Sequence, residues 1–560
     1  MRRADRQAPA APGPIVSALA PEPEEVTLDV LAETTGERVL RGGLWSALAK
    51  VLPQGYVLMQ SAVAARYLGV EGMGRQSFIA FVQLSVVLLF GFGLNGALVR
   101  YFAESLGQRR PEAARGMVDW VWRIEAVAAV AAAGLFTIIG LASEDLTAPW
   151  VLAGIGCALG VLNHVPYAVL SGSQRWRQFS TISLAIGGTG MVATVGVLAA
   201  GGGIPGIFAT QAVVAAASLA WTGSLTRRTL ASVAPRPGPF EDLRGPMVRF
   251  ALVNLVGFAL SLILWRRSEF FFLKRYSTDA EIGLYSVAFA AVAALVGALE
   301  AISAVMAPAV ATLSGAGATA RIRDGVGRAC RLVLVLSLPM TAGALAVGPA
   351  ALHLVYGSDY RGAGGPLVLM LAVFPLLPLM NLASATLWGL GRVRVWLLLC
   401  AAASVANLVM GLVLIPPLGA AGAALANSGA QLVAAVAIVA YASRALGGVD
   451  WHPRGLGGTL VASALCGAAA RSVVGVIGGV LGLAAAMAVG VGVLVAAGGW
   501  LGMLAPDDAR WLDRSFGAHL GGLVGRLVRR IGLREPDRPA GPAAAGGPAV
   551  HPRGGARSRS

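Results

Sequence analysis

Charged side chains are scarce in this sequence, and their scarcity excludes several classes of protein. Only 13% of the 560 residues are Asp, Glu, Lys or Arg, whereas a soluble globular chain carries about 25%. Too few polar side chains are present to cover several water-facing domains, and disordered, coiled-coil and collagen-like chains are excluded for the same reason. Apolar residues make up 56% of the chain, and its mean hydropathy is +0.71. The composition therefore predicts a membrane-embedded protein.

Lysine, histidine and cysteine are also rare. Lys50 and Lys274 are the only lysines, and the chain has five histidines. The four cysteines lie in apolar runs without a CxxC neighbour: Cys157, Cys330, Cys400 and Cys466. From this pattern we expect neither a disulfide nor a metal site. The sequence also shows no Ser/His/Asp set, paired-carboxylate motif or Walker loop, so we expect no enzymatic activity, no ATP-driven transport and no cofactor.

The apolar residues form fourteen stretches, each suited to a membrane-spanning helix of about 20 residues. They lie near 42–65, 77–102, 121–142, 148–171, 179–201, 204–225, 248–273, 283–312, 328–351, 365–389, 395–416, 418–443, 455–473 and 476–504. Arginines concentrate in alternate loops, within 109–115, 175–177, 227–244, 321–323, 392–394 and 444–454. Because cytoplasmic loops are enriched in Lys and Arg, this alternation predicts a multi-pass protein of the cytoplasmic membrane with both termini cytoplasmic. Most of the +16 net charge is then explained by arginines in the cytoplasmic loops.

Three short motifs recur in the same order at nearly constant spacing. Segment 74–78 has a counterpart in 283–287, segment 172–177 in 389–394, and segment 203–206 in 419–422. These offsets span six predicted helices, an even number, so both copies face the same way. Such a parallel repeat predicts two six-helix lobes related by an axis along the membrane normal, with a cleft that opens to either side by rocking.

We therefore predict an all-α polytopic membrane protein of about 14 transmembrane helices, two six-helix lobes in parallel repeat plus two C-terminal helices. The predicted order is a disordered cytoplasmic leader (1–38), an N-terminal lobe (39–230), a C-terminal lobe (231–446) and two extra helices (447–505). An amphipathic cytoplasmic helix (506–533) and a disordered tail (534–560) follow. The amphipathic helix has apolar residues at helical spacing with arginines between them, which is typical of an interfacial helix or of a positively charged juxtamembrane tail.

Several segments resemble a known family. They are 65–74 (ARYLGVEGMG), 92–95 (FGLN), 100–102 (RYF), 281–286 (EIGLYS), 356–360 (YGSDY) and 414–427 (LIPPLGAAGAALAN). In this order they resemble the polysaccharide biosynthesis (oligosaccharide flippase) family of the multidrug/oligosaccharidyl-lipid/polysaccharide exporter superfamily, over about residues 40–445. The resemblance implies two six-helix bundles, often two further helices, and movement of an isoprenoid-pyrophosphate-linked glycan across the cytoplasmic membrane. Family members often have an acidic residue soon after the Trp of helix 7, whereas here Trp265 is followed by Arg266, Arg267, Ser268 and Glu269.

The candidate functional residues are ionisable groups in apolar stretches, because each costs about 2.5–3.5 kcal/mol or more there. Arg266 and Arg267, with Glu269, form a candidate cationic patch that would bind pyrophosphate, since guanidinium groups bind phosphate oxygens bidentately. The alternative for these residues is an ion pair at the outer interface. Glu300 has no cation within a helical turn. It is either a proton-coupling carboxylate or a neutral, hydrogen-bonded acid.

Five further residues are weaker candidates. Arg100, Arg123 and Glu125 lie near the cytoplasmic ends of predicted helices and form either a gate or ordinary interface charges. Asn254 and Asn381 are candidate cleft residues for sugar hydroxyls, although amides in such helices more often hydrogen-bond to a neighbouring helix.

These residues and the resemblance together predict a flippase or exporter for a lipid-linked oligosaccharide, working by alternating access in cell-surface polysaccharide biosynthesis. The expected partners are the lipid-linked glycan, membrane lipids and a glycan polymerase or export machinery, with no nucleic acid. The alternatives are a drug or metabolite cation antiporter of the same superfamily, a peptidoglycan-precursor flippase, and a membrane glycan polymerase or ligase. Scarce acids in helices 1–6 disfavour the antiporter, and short outer loops disfavour the polymerase.

Overall fold

The computed structural model describes residues 28–143, 146–173, 175–265, 268–304 and 306–516. All of its elements are helices, as the apolar composition predicts, since a chain in hydrocarbon satisfies its backbone polar groups within each helix. The α-helices are α1 (Leu28–Phe90), α2 (Leu94–Gly107), α3 (Pro111–Leu141), α4 (Thr147–Gly172), α5 (Trp176–Ala199), α6 (Gly203–Val233), α7 (Glu241–Trp265), α8 (Glu269–Tyr276), α9 (Asp279–Ala304), α10 (Met306–Gly315), α11 (Thr319–Tyr356), α12 (Gly364–Val373), α13 (Leu376–Gly389), α14 (Val393–Ala445), α15 (Pro453–Val476), α16 (Gly479–Leu501) and α17 (Pro506–Phe516). A short 3₁₀ helix, Ser358–Ala363, precedes α12.

Eleven helices in the described part of the chain are long and apolar enough to cross a membrane, or twelve if the bent pair Ser358–Val373 and Leu376–Gly389 counts as one span. The predicted number of fourteen is therefore not confirmed. Part of the difference arises at two glycines with positive φ, Gly69 in α1 and Gly419 in α14. Each interrupts one long helix, Gly69 between two of the predicted apolar stretches and Gly419 at the start of the stretch 418–443. Many large apolar side chains face outward, for example Leu481, which is 79% exposed. Such a surface suits lipid rather than water.

The chain divides into two compact units. The first combines residues up to Thr319 with Gly348–Leu446, and the second combines Ala320–Val347 with the residues from Gly447 onward. Helix α11 contributes to both. The predicted lobe boundary at residue 230 remains a prediction.

In the second unit, α17 is held against α11 through one carboxylate. The side chain of Asp508 is 1% exposed. It accepts hydrogen bonds from Arg331 at 2.7 and 2.8 Å and from Arg328 at 3.2 Å. The guanidinium of Arg328 also lies over the ring of Trp511. The predicted amphipathic helix thus begins in a fixed position, whereas its part beyond residue 516 lies outside the described residues.

In the first unit, the two copies of the repeat contact each other through equivalent glycines. A Cβ atom on Gly74 of α1 would overlap the carbonyl of Asp279 and lie 3.1 Å from the backbone nitrogen of Gly283. A Cβ atom on Gly283 of α9 would overlap the carbonyl of Val70 and lie 3.3 Å from the nitrogen of Gly74. This reciprocal contact is the kind that a two-fold relation between the halves produces.

A second pair of repeat-related glycines occupies matching places within each half. Gly172, at the end of α4, faces α2, where its Cβ would lie 3.1 Å from the carbonyl oxygen of Val99. Gly389, at the end of α13, faces α10, where its Cβ would lie 2.7 Å from the carbonyl oxygen of Ala307. The residues that these glycines face, Val99 and Ala307, are themselves about one repeat length apart in the sequence. The motifs found in the sequence therefore mark equivalent helix crossings.

Candidate functional site: two repeat-related cavities

A cavity of about 520 Å³ in the first unit is lined by α3 and α6 with one residue of α4. Two other cavities lie where the repeat places equivalent residues. The first of these has a volume of about 500 Å³ and is lined by α1, α5 and α6 with one residue of α9. We call it the amide cavity, because four glutamines belong to its wall. Its polar lining consists of Gln60, Gln76, Gln83, Gln211, Ser61, Ser77 and Thr194.

The other cavity has a volume of about 340 Å³ and is lined by α7, α9, α12, α13 and α14. We call it the Glu300 cavity. Its polar lining consists of Ser261, Glu300, Asn381, Asn427 and Gln431. Two of the residues proposed from the sequence, Glu300 and Asn381, therefore line one cavity. Among the residues that line this cavity, Glu300 supplies the one carboxylate.

The two cavities are built from equivalent positions of the repeat. Ala80, Gln83, Leu84 and Val87 of α1 line the amide cavity, and Phe289, Val292, Ala293 and Val296 of α9, each 209 residues later, line the Glu300 cavity. Gln211 and Asn427, which are 216 residues apart, also correspond. The spacing of 209 is that of the contacting glycines Gly74 and Gly283. Each half of the repeat thus encloses its own polar cavity at the same place.

Glu269 lies beside the Glu300 cavity in a buried hydrogen-bond network. Its side chain is 1% exposed. The Nδ2 atoms of Asn407 and Asn427 donate to its Oε1 at 2.7 and 3.0 Å, and the hydroxyl of Tyr285 donates to Oε2 at 3.0 Å. Gln431 extends the network by donating to Oδ1 of Asn427 at 2.8 Å. The break of α14 at Gly419 allows both of its arms to reach this carboxylate, since Asn407 precedes the break and Asn427 follows it.

Glu269 is not among the residues that line either cavity. A buried carboxylate with three donors holds helices α8, α9 and α14 together. Its predicted neighbours in the cationic patch, Arg266 and Arg267, lie outside the described residues. The structure therefore places Glu269 as a packing centre at the wall of the Glu300 cavity.

The N-terminal half contains a second buried acid, which the sequence presented as an interface charge or gate. Glu125 on α3 is 0% exposed. Its Oε2 lies 3.4 Å from Nδ1 of His164 on α4, and within the described residues neither carboxylate oxygen has a hydrogen-bond partner. The imidazole of His164 packs against Gly91, where α1 ends, since a Cβ there would lie 2.7 Å from the ring.

The remaining predicted residues occupy separate places. Arg100 is exposed, with its guanidinium 4.9 Å from the ring centre of Phe250, and Arg123 is exposed. Asn254 packs against Gly93 and Gly96 at the start of α2, and its Nδ2 has no partner among the described residues. Neither arginine, nor Asn254, belongs to the lining of the two cavities.

At the end of the unit that contains the glycine crossing, the two halves are tied together by polar contacts. Asp279 of α9 pairs with Arg75 of α1 at 3.2 Å and with Lys274 at 2.6 Å. The hydroxyl of Tyr360 donates to the carbonyl oxygens of Ala65 at 3.2 Å and of Gly69 at 2.9 Å. The predicted topology makes this the outer end. In this conformation the two halves are in contact there.

A further ion pair lies at the predicted cytoplasmic end. Arg110, just before α3, donates hydrogen bonds of 2.7 and 3.1 Å to the carboxylate of Asp242 at the start of α7. These bonds raise the pKa of Arg110 above its ordinary value. Both side chains are exposed, so the pair adds little stability. The pair connects the start of α7 to the residue before α3, and breaking it costs the fold little stability.

The glutamines of the amide cavity are functional candidates that a search for charged residues misses. A sequence signal for two of them exists. Gln76 and Gln83 are seven residues apart on α1, and that spacing places both on one helical face. Gln211 stands out through the repeat, because it corresponds to Asn427.

The sequence and the fold are similar to those of known proteins. Residues 63–363 match the family model described as polysaccharide biosynthesis protein, and residues 298–481 match that of the lipid II flippase MurJ. No curated protein matches the chain.

Solved structures with the same fold include lipid II flippase MurJ in an inward closed conformation, with 14% identity over 81% of this chain and 97% of that one and a TM-score of 0.64. An inward-facing multidrug resistance MATE family transporter of the MOP superfamily matches with 14% identity over 72% of this chain and 98% of that one, with a TM-score of 0.59. A mutant of the Vibrio cholerae MATE transporter VcmN matches with 17% identity over 74% of this chain and 98% of that one, with a TM-score of 0.50. At these low identities, the TM-scores show a similar fold.

Proposed function

This chain belongs to the polysaccharide biosynthesis protein family, whose model matches more than half of it, and on that basis we propose that it is a flippase for a lipid-linked glycan. It moves an isoprenoid-pyrophosphate-linked oligosaccharide across the cytoplasmic membrane by alternating access, for cell-surface polysaccharide biosynthesis. The observation that carries this proposal is the pair of repeat-related polar cavities inside a membrane-spanning fold. Polar cavities at equivalent places in two repeats are suited to a polar cargo that is passed between two faces.

The physical task fits such a molecule. The isoprenoid tail of the substrate is stable in the bilayer, whereas the glycan and pyrophosphate cannot cross hydrocarbon unaided. A polar route between the halves carries the head while the tail stays in lipid. If the pyrophosphate carries two negative charges, an inside-negative potential favours outward movement by about 4–5 kcal/mol per 100 mV, at about 2.3 kcal/mol per charge. The cycle then needs no nucleotide.

The contact between the halves supplies the moving part. The reciprocal glycine crossing and the pairs of Asp279 close the predicted outer end. Rocking of the halves would separate them there and open the cavities to the opposite side. Arg100, Arg123 and Glu125 are proposed to act at the cytoplasmic end of this movement, and both chain termini are proposed to lie in the cytoplasm.

Arg266 and Arg267 are proposed to bind the pyrophosphate, with Asn381 in the wall of the Glu300 cavity as a contact for sugar hydroxyls. Glu269 and Asn254, which line neither cavity, are proposed to support the cleft from behind. The test is the Arg266→Ala/Arg267→Ala double variant. We expect it to accumulate to normal levels in the membrane but to export little glycan. Full export by this variant would contradict the assignment.

Glu300 is proposed to be the coupling residue. It is the exposed carboxylate in the wall of its cavity, where a coupling ion can reach it. A glycan polymerase or the export machinery is the proposed protein partner, since a translocated glycan must be consumed on the outer face.

A peptidoglycan-precursor flippase is the second candidate, and the match of residues 298–481 to lipid II flippase MurJ favours it. Both candidates move a lipid-linked sugar, so they differ only in the identity of the glycan. Deletion of the gene distinguishes them. We expect lipid-linked oligosaccharide of the surface polysaccharide to accumulate in the cytoplasmic leaflet. Accumulation of the cell-wall precursor instead would support the second candidate, and accumulation of neither would contradict both.

A further inference from the structure

We propose that the amide cavity is a binding subsite for neutral sugar residues of the glycan, separate from the groups that bind the pyrophosphate. This inference rests on the proposed flippase function and adds to it the chemical class of the sugars. It gives the N-terminal half of the repeat a role in recognising the glycan, distinct from that of the Glu300 cavity.

The lining of the amide cavity has the chemistry that neutral sugars require. Its polar groups are amides and hydroxyls, and no charged residue is among the residues that line it. An amide side chain both donates and accepts hydrogen bonds, as each sugar hydroxyl does. The remaining lining is aliphatic, including Val57, Leu84 and Ile207, and such side chains can pack against the apolar faces of sugar rings.

Two of the glutamines have free hydrogen-bonding capacity. Gln60 donates to the hydroxyl of Thr194 at 2.8 Å and Gln83 donates to the carbonyl of Ala153 at 3.1 Å. Within the described part of the chain, Gln76 and Gln211 make no side-chain hydrogen bond to protein, although both are half-buried in membrane-spanning helices. Burying an amide without a partner costs free energy. Water or a ligand in the cavity must supply those partners.

The volume and the charge of the cavity exclude other kinds of cargo. About 500 Å³ lies within the usual range of about 300–1,000 Å³ for small-molecule sites, so the cavity holds a polar group larger than a few waters. A cationic drug would need a carboxylate in the wall and a pyrophosphate would need arginines, and the lining supplies neither. The equivalent Glu300 cavity differs in having a carboxylate. Of the two repeat-related cavities, the amide cavity is therefore the one with an uncharged lining.

The test measures binding of two probes to the full chain in nanodiscs. One probe is a fluorescent polyprenyl pyrophosphate without sugar, and the other carries a neutral disaccharide of N-acetylglucosamine and galactose. We expect the unmodified chain to bind the glycosylated probe more tightly. In the Gln76→Leu/Gln211→Leu variant we expect affinity for the glycosylated probe to fall about tenfold, as two lost neutral hydrogen bonds imply, with affinity for the bare probe unchanged.

Gln178→Leu is the matched control, because this glutamine is exposed on α5 and does not line the cavity. It should leave both affinities unchanged. If the double variant does not fold, each single variant should lose about threefold for the glycosylated probe alone. An equal loss for both probes, or no loss, overturns the subsite. Equal binding of both probes by the unmodified chain overturns the subsite but leaves the flippase proposal standing, and binding of neither contradicts both.

Discussion

Replacing Gly74 with alanine tests whether the contact between the halves is the moving part. The added methyl group would overlap the carbonyl of Asp279, and because its neighbours there are backbone atoms, no side chain can rotate away. The two helices must move apart. Overpacking of this kind costs about 1–3 kcal/mol. If the cost falls on the closed state alone, it shifts the balance between closed and open states about 5–150-fold.

The assay measures a distance between the halves. Nitroxide labels are placed on cysteines introduced at Glu71 and Leu418, which are both exposed. The four native cysteines are buried and should not react. We expect one short distance in the labelled parent chain and a second, longer distance in the Gly74→Ala chain, by double electron–electron resonance.

Gly55→Ala is the control on the same helix, since nothing lies within 4 Å of its Cβ position. It should leave the distance distribution unchanged. A Gly74→Ala chain with the parent's distribution and the parent's transport rate would refute the idea that this crossing controls opening.

Three other substitutions have expected outcomes. Glu269→Ala removes an acceptor shared by three buried donors, and a buried donor that loses its partner costs about 1–3 kcal/mol, so the Tm of the purified chain should fall markedly. Glu269→Gln keeps an acceptor oxygen and should cost less, and equal Tm values for the two variants would contradict the network. Asp508→Asn weakens the buried charge pair between Asp508 and Arg331. We expect a loss of stability of about 3 kcal/mol and faster hydrogen exchange in α15–α17, and unaltered exchange there would contradict the role of Asp508 in holding α17 against α11. Glu300→Gln should abolish the dependence of transport on an imposed pH gradient without changing the Tm, and a retained dependence would exclude Glu300 as the coupling residue.

The helical class and the repeat could be predicted from the sequence because both depend on local features. Long apolar runs specify membrane helices, and Gly74 and Gly283 occur at a fixed spacing within similar segments. The number of membrane spans is harder to predict from the sequence. Whether a glycine such as Gly69 or Gly419 ends a helix or only bends it depends on what packs around it.

The candidate site is harder to predict from the sequence, because the signal that a sequence offers is charge within apolar stretches. Glu300 and Asn381 were identified and line one cavity. The sequence gives no such signal for Gln76 and Gln211 as binding residues, because a neutral amide carries no visible cost in a hydropathy pattern. The neighbours of Glu125 and Glu269 come from other helices, and only tertiary packing decides that these acids are buried.

The most direct test of the proposed function is translocation by the purified full chain in proteoliposomes. The probe is a fluorescent polyprenyl pyrophosphate that carries a neutral oligosaccharide, and the measurement is the rate at which its head group becomes accessible to a reagent added outside. We expect a rate well above that of protein-free vesicles, increased by a membrane potential that is negative on the side where the head begins. Equal rates with and without the chain would contradict the function proposed for it.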